Sequence, residues 1–176
     1  MGVRNVRFAL LVCVGVVTLG LAGIAAQAPA ARVHGNLLQV MRGIIFPASN
    51  VVFTAQSEDP AAMKPAADPA TSPNPLTSVY GGWTAVENSA LALAEAANLL
   101  TIPGRVCSNG KPAPMQNADW RMWVQELRDA GMASYKAAQA KNQDAIVDAA
   151  GLVGDACAHC HDKYRDRPGG VANRCS

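Results

Sequence analysis

Apolar side chains recur at intervals of three and four residues along four stretches of the chain. This spacing places them on one face of a helix, so each stretch predicts an amphipathic helix. The helices are predicted over about residues 33–58, 77–101, 117–141 and 142–165. Four such helices in one domain predict an all-α fold, arranged as an antiparallel four-helix bundle.

Prolines affect the first predicted helix and the segment after it. Pro47 lies inside the apolar stripe of that helix. Because proline removes a backbone hydrogen bond and usually kinks a helix, we expect a bent helix, or a short helix followed by a longer one. Residues 57–76 contain five prolines among Ala, Asp, Ser and Thr. This composition predicts a solvated linker or long loop that simply connects the first two helices.

The N-terminus has the pattern of an export signal. Arg4 and Arg7 precede an uncharged apolar run, Phe8–Ala26, and the small residues at its end fit an A-x-A cleavage site. Residues 1–28 are therefore predicted to be a signal peptide, and residues 29–176 the mature domain. The apolar run is also long enough to remain as an N-terminal membrane anchor. We expect a periplasmic protein that contacts the membrane only if this segment is not cleaved.

The charge of the chain gives no indication of a nucleic-acid partner. There are 15 Lys and Arg against 13 Asp and Glu, and loss of the two arginines in the signal leaves 13 of each. A neutral domain lacks the basic excess typical of nucleic-acid binding. The sequence also has no paired carboxylates at fixed spacing, no nucleophile elbow and no phosphate loop. An enzyme is therefore not predicted.

A five-residue motif in the last predicted helix carries the chemistry. Cys157-Ala158-His159-Cys160-His161 has the C-x-x-C-H pattern of c-type haem attachment. Each thiol adds to a haem vinyl group, and the adjacent imidazole reaches the iron as an axial ligand. On a helix, Cys157, Cys160 and His161 share one face. The motif predicts one covalent haem c, with His161 as an iron ligand.

The residues after the motif extend it to C-x-x-C-H-x-x-Y-R, close to the C-terminus. This string resembles the class II cytochromes c, the family of cytochrome c prime and its six-coordinate, low-spin relatives. The resemblance implies that Tyr164 packs beside the haem and that Arg165 lies near the proximal histidine. It also implies single-electron transfer between redox protein partners, in a bundle that often forms a homodimer. Pro47 and the proline-rich loop depart from the simplest pattern of the family.

The second axial position of the iron has two interpretations. Low-spin members of the family use a methionine early in the first helix, and Gln39-Val40-Met41-Arg42 is similar to that region. Met41 is therefore the candidate sixth ligand, which favours electron transfer. Alternatively, Met41 only fills the core. The iron is then five-coordinate, with Leu37 or Leu38 over the open face, and the site resembles that of cytochrome c prime, which implies binding of nitric oxide or carbon monoxide.

Other residues near the motif have simpler explanations. His34 is predicted to be a surface residue, and His159 points away from the iron because it lies two positions before His161 on the helix. Arg42 is a candidate partner for a haem propionate, with a surface position as the alternative. The tryptophans fall on the apolar stripes and are predicted to lie in the core rather than in a pocket: Trp83, Trp120 and Trp123.

Basic residues near the C-terminus form a candidate rim that would steer an acidic redox partner. Two acidic residues, Asp162 and Asp166, interrupt this rim. The basic residues in question are Lys163, Arg165, Arg167 and Arg174.

The remaining cysteines predict a disulfide. Of five cysteines, Cys13 lies in the export signal and two belong to the motif, which leaves Cys107 and Cys175. An exported protein folds in an oxidising compartment, so we expect these two cysteines to form a disulfide with each other. Free thiols or intermolecular disulfides are the alternatives. In up-down-up-down order, the start of the first helix, the loop that carries Cys107 and the end of the fourth helix lie at one pole.

A zinc-stabilised structural module is a second alternative function. Cys157, Cys160 and His161 would supply three ligands, and Cys107 or Cys175 the fourth. Export and the extended motif both argue against this interpretation.

Overall fold

Four helices make up most of the regular structure between residues 31 and 176, the part of the chain that the computed structural model describes. They are α1 (Leu37–Thr54), α2 (Trp83–Leu99), α3 (Ala118–Gln139) and α4 (Gln143–Tyr164). No β-strand occurs in this range, so the all-α prediction is confirmed. The predicted signal peptide, residues 1–28, lies outside the described residues.

Helix α1 begins at a capping box. The Asn36 side chain accepts a hydrogen bond from the Gln39 backbone N–H at 3.0 Å, and the Gln39 side chain accepts one from the Asn36 N–H at 2.8 Å. Each bond satisfies a backbone donor that the first turn of a helix leaves free. The helix therefore starts four residues before Met41, at a fixed position.

Pro47 is accommodated by a π-helical turn rather than by a gap between two helices. Met41–Ile45 is π-helical, and the Phe46 N–H donates to the Met41 carbonyl, five residues back. Proline has no N–H, and its ring clashes with the carbonyl four residues earlier in a regular α-helix. A wider turn placed directly before the proline relieves both problems, and α-helix resumes at Phe46. The interruption predicted at Pro47 thus takes the form of a local change of helix type.

The proline-rich segment is more than a solvated connector. It forms turns and one 3-10 helix, Pro75–Thr77, before α2 begins. Leu76 is only 2% exposed, and Pro60 is among the fully buried side chains. The Gly82 N–H donates to the Leu76 carbonyl at 2.9 Å, so this turn occupies residues that the hydrophobic pattern assigned to the second helix. The prediction of a mere connector is therefore wrong for Pro60 and Leu76, which attach the loop to the core.

The core lies between the helices. Helix α2 packs along α3, α3 packs along α4, and α1 contacts both α2 and α4. Fully buried side chains come from all four helices: Val52, Val86, Leu93, Trp120, Ile146 and Val153. Many of the other buried positions are alanines, which allow the helix axes to approach closely.

Gly131 lies where α2 and α3 approach each other closely. A Cβ atom at this position would lie 2.7 Å from the Ala94 backbone nitrogen and 3.1 Å from the Ala90 carbonyl oxygen. Both are backbone atoms, so they cannot move without a shift of the whole helix. The small residues of α2 and Gly131 of α3 therefore set the distance between the two helices.

We expect Gly131→Ala to lower the free energy of unfolding by about 1–3 kcal/mol, the usual cost of overpacking a core. Gly151→Ala is the matched control, because Gly151 is an exposed helical glycine with no atom near its Cβ position. That control is expected to raise stability by about 0.5–1 kcal/mol, since alanine favours helix. Urea denaturation followed by circular dichroism measures both. Equal stabilisation in the two variants would contradict the close approach.

Three distant segments meet beside the start of α1. The Leu37 N–H donates to the Val106 carbonyl at 2.9 Å, and the Arg105 guanidinium donates to the Gly35 carbonyl at 2.6 Å. The Asn109 side chain, in the same α2–α3 connection, donates to carbonyl groups of the C-terminal tail, residues 165–176. The beginning of α1, the α2–α3 connection and the tail after α4 are thus held together.

Helix α1 meets the length and composition required of a membrane span, but 39% of this stretch is buried inside the fold. Core helices of globular domains pass the same test. The finding therefore gives no location for the protein.

Candidate functional site

A cavity of about 550 Å³ lies where these three segments meet. Its volume is within the roughly 300–1,000 Å³ typical of small-molecule and cofactor sites. The residues proposed from the sequence as binding or ligating groups all line it: Met41, Cys157, Cys160, His161, Tyr164 and Arg165. Met41 comes from α1, and the other five residues come from α4 or directly follow it. The fold therefore brings separate parts of the chain to one site.

The three motif residues share the inner face of α4. Cys157, Cys160 and His161 are half-buried, and both thiols are free. Burial raises the pKa of the Cys157 thiol, and raises the pKa of Cys160 to about 12. Burial, followed by the charge of Arg165, lowers the pKa of His161. This lowered pKa favours the neutral imidazole at neutral pH, and the neutral form is the one that binds a metal.

Met41 lines the same cavity as His161 and is half-buried. It is the first residue of the π-helical turn, and turns of this type often occur at functional sites because they redirect nearby side chains. Leu37 and Leu38 line the cavity beside it. The start of α1 thus supplies one thioether and two branched apolar side chains to this site.

Tyr164 forms part of the floor of the cavity and is fixed from two directions. Its ring is 3% exposed and packs edge-on against Trp120, with ring centroids 5.2 Å apart. Its hydroxyl donates to Asp119 Oδ1 at 2.7 Å and accepts from Asn117 Nδ2 at 3.0 Å. Hydrogen bonds from Lys163 and then Tyr164 lower the pKa of Asp119, so this carboxylate stays charged. The ring is therefore held rigidly at the end of α4.

Arg165 lines the cavity but already has a partner. Its Nε and one terminal nitrogen donate to the two oxygens of Asp166, at 2.7 Å and 2.6 Å. A bidentate pair of this kind balances the charge of the guanidinium. Arg42 also lines the cavity, at an exposed position.

Residues given other roles from the sequence are distributed as follows. His34 is exposed, and His159 is exposed with its Nδ1 2.9 Å from Glu126 Oε2 on α3. Trp83 lies in the core at 7% exposure. Trp120 is 1% exposed and also lines the cavity, whereas Trp123 is only partly buried. The predicted core position is therefore confirmed for Trp83 and Trp120, although Trp120 also lines the cavity, whereas Trp123 packs against the core and stays partly exposed.

The basic residues near the C-terminus are engaged locally. Lys163 pairs with Asp119, Arg165 pairs with Asp166, and Arg167 donates to the Ser176 carbonyl. The fourth basic residue, Arg174, lines the cavity. Their arrangement therefore differs from that of an open, uniformly positive rim.

Cys107 and Cys175 are bonded to each other, with their Cα atoms 6.5 Å apart. The predicted pairing is thus present in the structure, and both residues line the cavity. Neither is then left as the fourth thiolate of a zinc site. Among residues 31–176 there is no group of three or more His, Cys, Asp or Glu side chains placed to hold a metal ion.

Arg174, which the sequence placed only in the basic rim, lines the cavity, a position that the sequence did not indicate. Its Nε is buried and has no hydrogen-bond partner among the residues that the structure describes. Its terminal nitrogen Nη1 lies 3.4 Å from the Ser108 hydroxyl oxygen. The one signal available in the sequence is that Arg174 directly precedes a cysteine.

Comparison with known proteins adds no assignment. The chain matches no protein-family model, no curated protein and no solved structure. The residues around the cavity therefore carry the functional interpretation.

Proposed function

We propose that this chain is an exported mono-haem c-type cytochrome of the class II type, built as an antiparallel four-helix bundle, that carries single electrons between redox proteins. The proposal rests on the observation that two distant parts of the chain line the same cavity. The C-x-x-C-H motif near the C-terminus and Met41 near the start of the domain line one cavity, although more than a hundred residues separate them in sequence.

The residues around this cavity fit a haem in three respects. Two free thiols and a neutral imidazole lie on the same face of α4. The walls include apolar side chains of α1 and α3, together with Leu100 directly after α2, as a porphyrin requires. A buried guanidinium nitrogen of Arg174 is without a partner, as expected where a carboxylate belongs. When bound, the haem supplies reversible one-electron chemistry at its iron.

Each residue then has a defined task. Cys157 and Cys160 attach the group to α4, and His161 provides the proximal imidazole. Met41 provides the sixth ligand, which raises the reduction potential relative to a site without a thioether. Tyr164 supports the site rigidly through its hydrogen bond to Asp119.

Location and partners follow from the same proposal. A bonded Cys107–Cys175 pair is typical of an oxidising compartment, which supports export. The export signal is assigned to residues 1–28, either cleaved or kept as an anchor. The partners are other redox proteins, and self-association as a homodimer is part of the resemblance.

A five-coordinate, gas-binding site is the second candidate function. The specific observation in its favour is that Leu37 and Leu38 line the cavity beside Met41. A branched apolar side chain over the iron would leave the sixth position open to nitric oxide or carbon monoxide. Substitution of Met41 distinguishes the two functions.

Production of the full chain with a c-type haem-attachment system tests the proposal. We expect one haem that stays with the protein after denaturation and adds its mass to the chain. Cys157→Ala combined with Cys160→Ala is expected to abolish attachment completely. His159→Gln is the matched control, because His159 lies between the same cysteines but is exposed and bonded to Glu126, and it is expected to retain the haem. A wild-type chain without covalent haem would refute the proposal.

A further inference from the structure

The C-terminal tail is fastened against the cavity at several points. Cys175 is bonded to Cys107, and its N–H donates to the Tyr164 carbonyl at 2.9 Å. The Asn109 side chain donates to the carbonyls of Val171 and Arg174, at 3.1 Å and 2.9 Å. Because Arg174 lies between these attachments, its backbone has a fixed position beside the cavity.

The guanidinium of Arg174 has a buried nitrogen without a hydrogen-bond partner. The residue as a whole is half-buried, but its Nε is inaccessible to solvent and bonds to no group among residues 31–176, and a hydrogen bond to the Ser108 hydroxyl is formed by Nη1 at 3.4 Å. A buried donor without an acceptor is costly. The site is therefore complete only when an acceptor, best an anionic one, is present.

The other charged residues of the cavity do not satisfy Arg174. Three arginines line it, Arg42, Arg165 and Arg174, against one acidic residue, Asp166. Asp166 is bonded through both oxygens to Arg165. Arg42 is exposed, and a solvated cation binds an anion only weakly. The cavity thus has more arginines than acidic residues, and the buried nitrogen without a hydrogen-bond partner belongs to Arg174.

We propose that Arg174 binds a carboxylate of the group held in this cavity, with the Ser108 hydroxyl as a neighbouring donor. The planar fork of a guanidinium matches the two oxygens of a carboxylate, which a lysine at this position would not do. This inference rests on the proposed function, under which the carboxylate is a propionate of the haem. It assigns a binding role to a residue of the disulfide-linked tail, outside the C-x-x-C-H-x-x-Y-R string.

Binding of free haem with and without its carboxylates tests this role. The full chain carrying Cys157→Ser and Cys160→Ser is expected to bind haem reversibly and to keep the Cys107–Cys175 bond. Its affinity is measured by absorbance titration with haemin and with haemin dimethyl ester, in which both carboxylates are methylated. We expect Arg174→Gln to weaken haemin binding about ten- to a hundredfold, as for the loss of a charge-assisted hydrogen bond. Binding of the dimethyl ester is expected to stay unchanged.

Arg167→Gln is the matched control. Arg167 is on the same tail and bonds to the Ser176 carbonyl, but it does not line the cavity, so both affinities should stay unchanged. Equal weakening of haemin and its ester by Arg174→Gln would indicate a structural role and overturn the proposal. Unchanged haemin binding would overturn it as well.

Failure of this inference is distinguishable from failure of the proposed function. If the wild-type chain acquires covalent haem while Arg174→Gln does not discriminate haemin from its ester, the cytochrome proposal stands and the role of Arg174 is refuted. If the wild-type chain acquires no haem and the parent double variant binds no haemin, both proposals are refuted.

Discussion

Removal of the Cys107–Cys175 disulfide is expected to lower the free energy of unfolding by about 4 kcal/mol. The two cysteines are 68 residues apart in sequence, and a cross-link across a loop of this length removes much of the conformational freedom of the unfolded chain. This is a large part of the roughly 5–15 kcal/mol by which a typical domain is stable. The measurement is denaturant unfolding of the Cys107→Ala, Cys175→Ala double variant, followed by circular dichroism.

Two comparisons separate the covalent bond from the side chains. Reduction of the disulfide in the wild-type protein keeps both sulfur atoms and should produce a similar loss. The single variant Cys107→Ala should behave like the double variant, since either substitution prevents the bond. Unfolding of the double variant at the same denaturant concentration as the oxidised wild type would contradict the prediction.

The disulfide also links stability to the site. It joins the α2–α3 connection to the tail, and both of its cysteines line the cavity. The hydrogen bond from the Cys175 N–H to the Tyr164 carbonyl continues this link to the end of α4. Loss of the bond therefore frees the segment that holds Arg174, so that haem affinity and stability should fall together.

The helices could be predicted because their signals are local. The apolar spacing of three and four residues depends on neighbouring turns, and the cap of α4 is a single residue: the Asn142 side chain accepts a hydrogen bond from the Ala145 N–H at 3.0 Å. Most features that depend on contacts distant in sequence have no such local signal. The burial of Leu76 within a polar, proline-rich segment is one example, because nothing next to it in sequence indicates a packing partner. The Cys107–Cys175 bond is an exception, because counting the cysteines indicates it.

The same distinction between local signals and distant contacts applies to the residues of the candidate site. The C-x-x-C-H motif is a local spacing with a chemical reason, so its residues were identified from sequence alone. Arg174 was assigned only to a surface rim. Its position beside the cavity depends on the disulfide between the next residue, Cys175, and Cys107, which lies 68 positions earlier. The π-helical turn was missed because the choice between a kink, a break and a wider turn at Pro47 depends on packing around α1. Periodicity also cannot separate a methionine that lines a cavity from one that fills the core.

Replacement of Met41 by leucine is expected to change the proposed iron site itself. Leucine has a similar volume but no sulfur, so packing is preserved while the proposed sixth ligand is lost. We expect the oxidised and reduced spectra to change from low-spin to high-spin, and the ferrous protein to bind carbon monoxide. The reduction potential should fall by roughly 0.1–0.3 V, part of the roughly 0.8 V that axial ligands span. Absorbance spectra and potentiometric titration measure these changes.

Met115→Leu is the matched control for this substitution. Met115 is also partly buried against the core, but it does not line the cavity, so its replacement should leave the spectrum and the potential unchanged. A low-spin spectrum that persists in both variants would mean that another group binds the iron. A wild-type protein that is already high-spin and binds carbon monoxide would instead assign Met41 to packing and favour the gas-binding function. Because Met41 starts the π-helical turn in front of Pro47, a confirmed ligand here would give that turn a role: it would set the direction of the thioether.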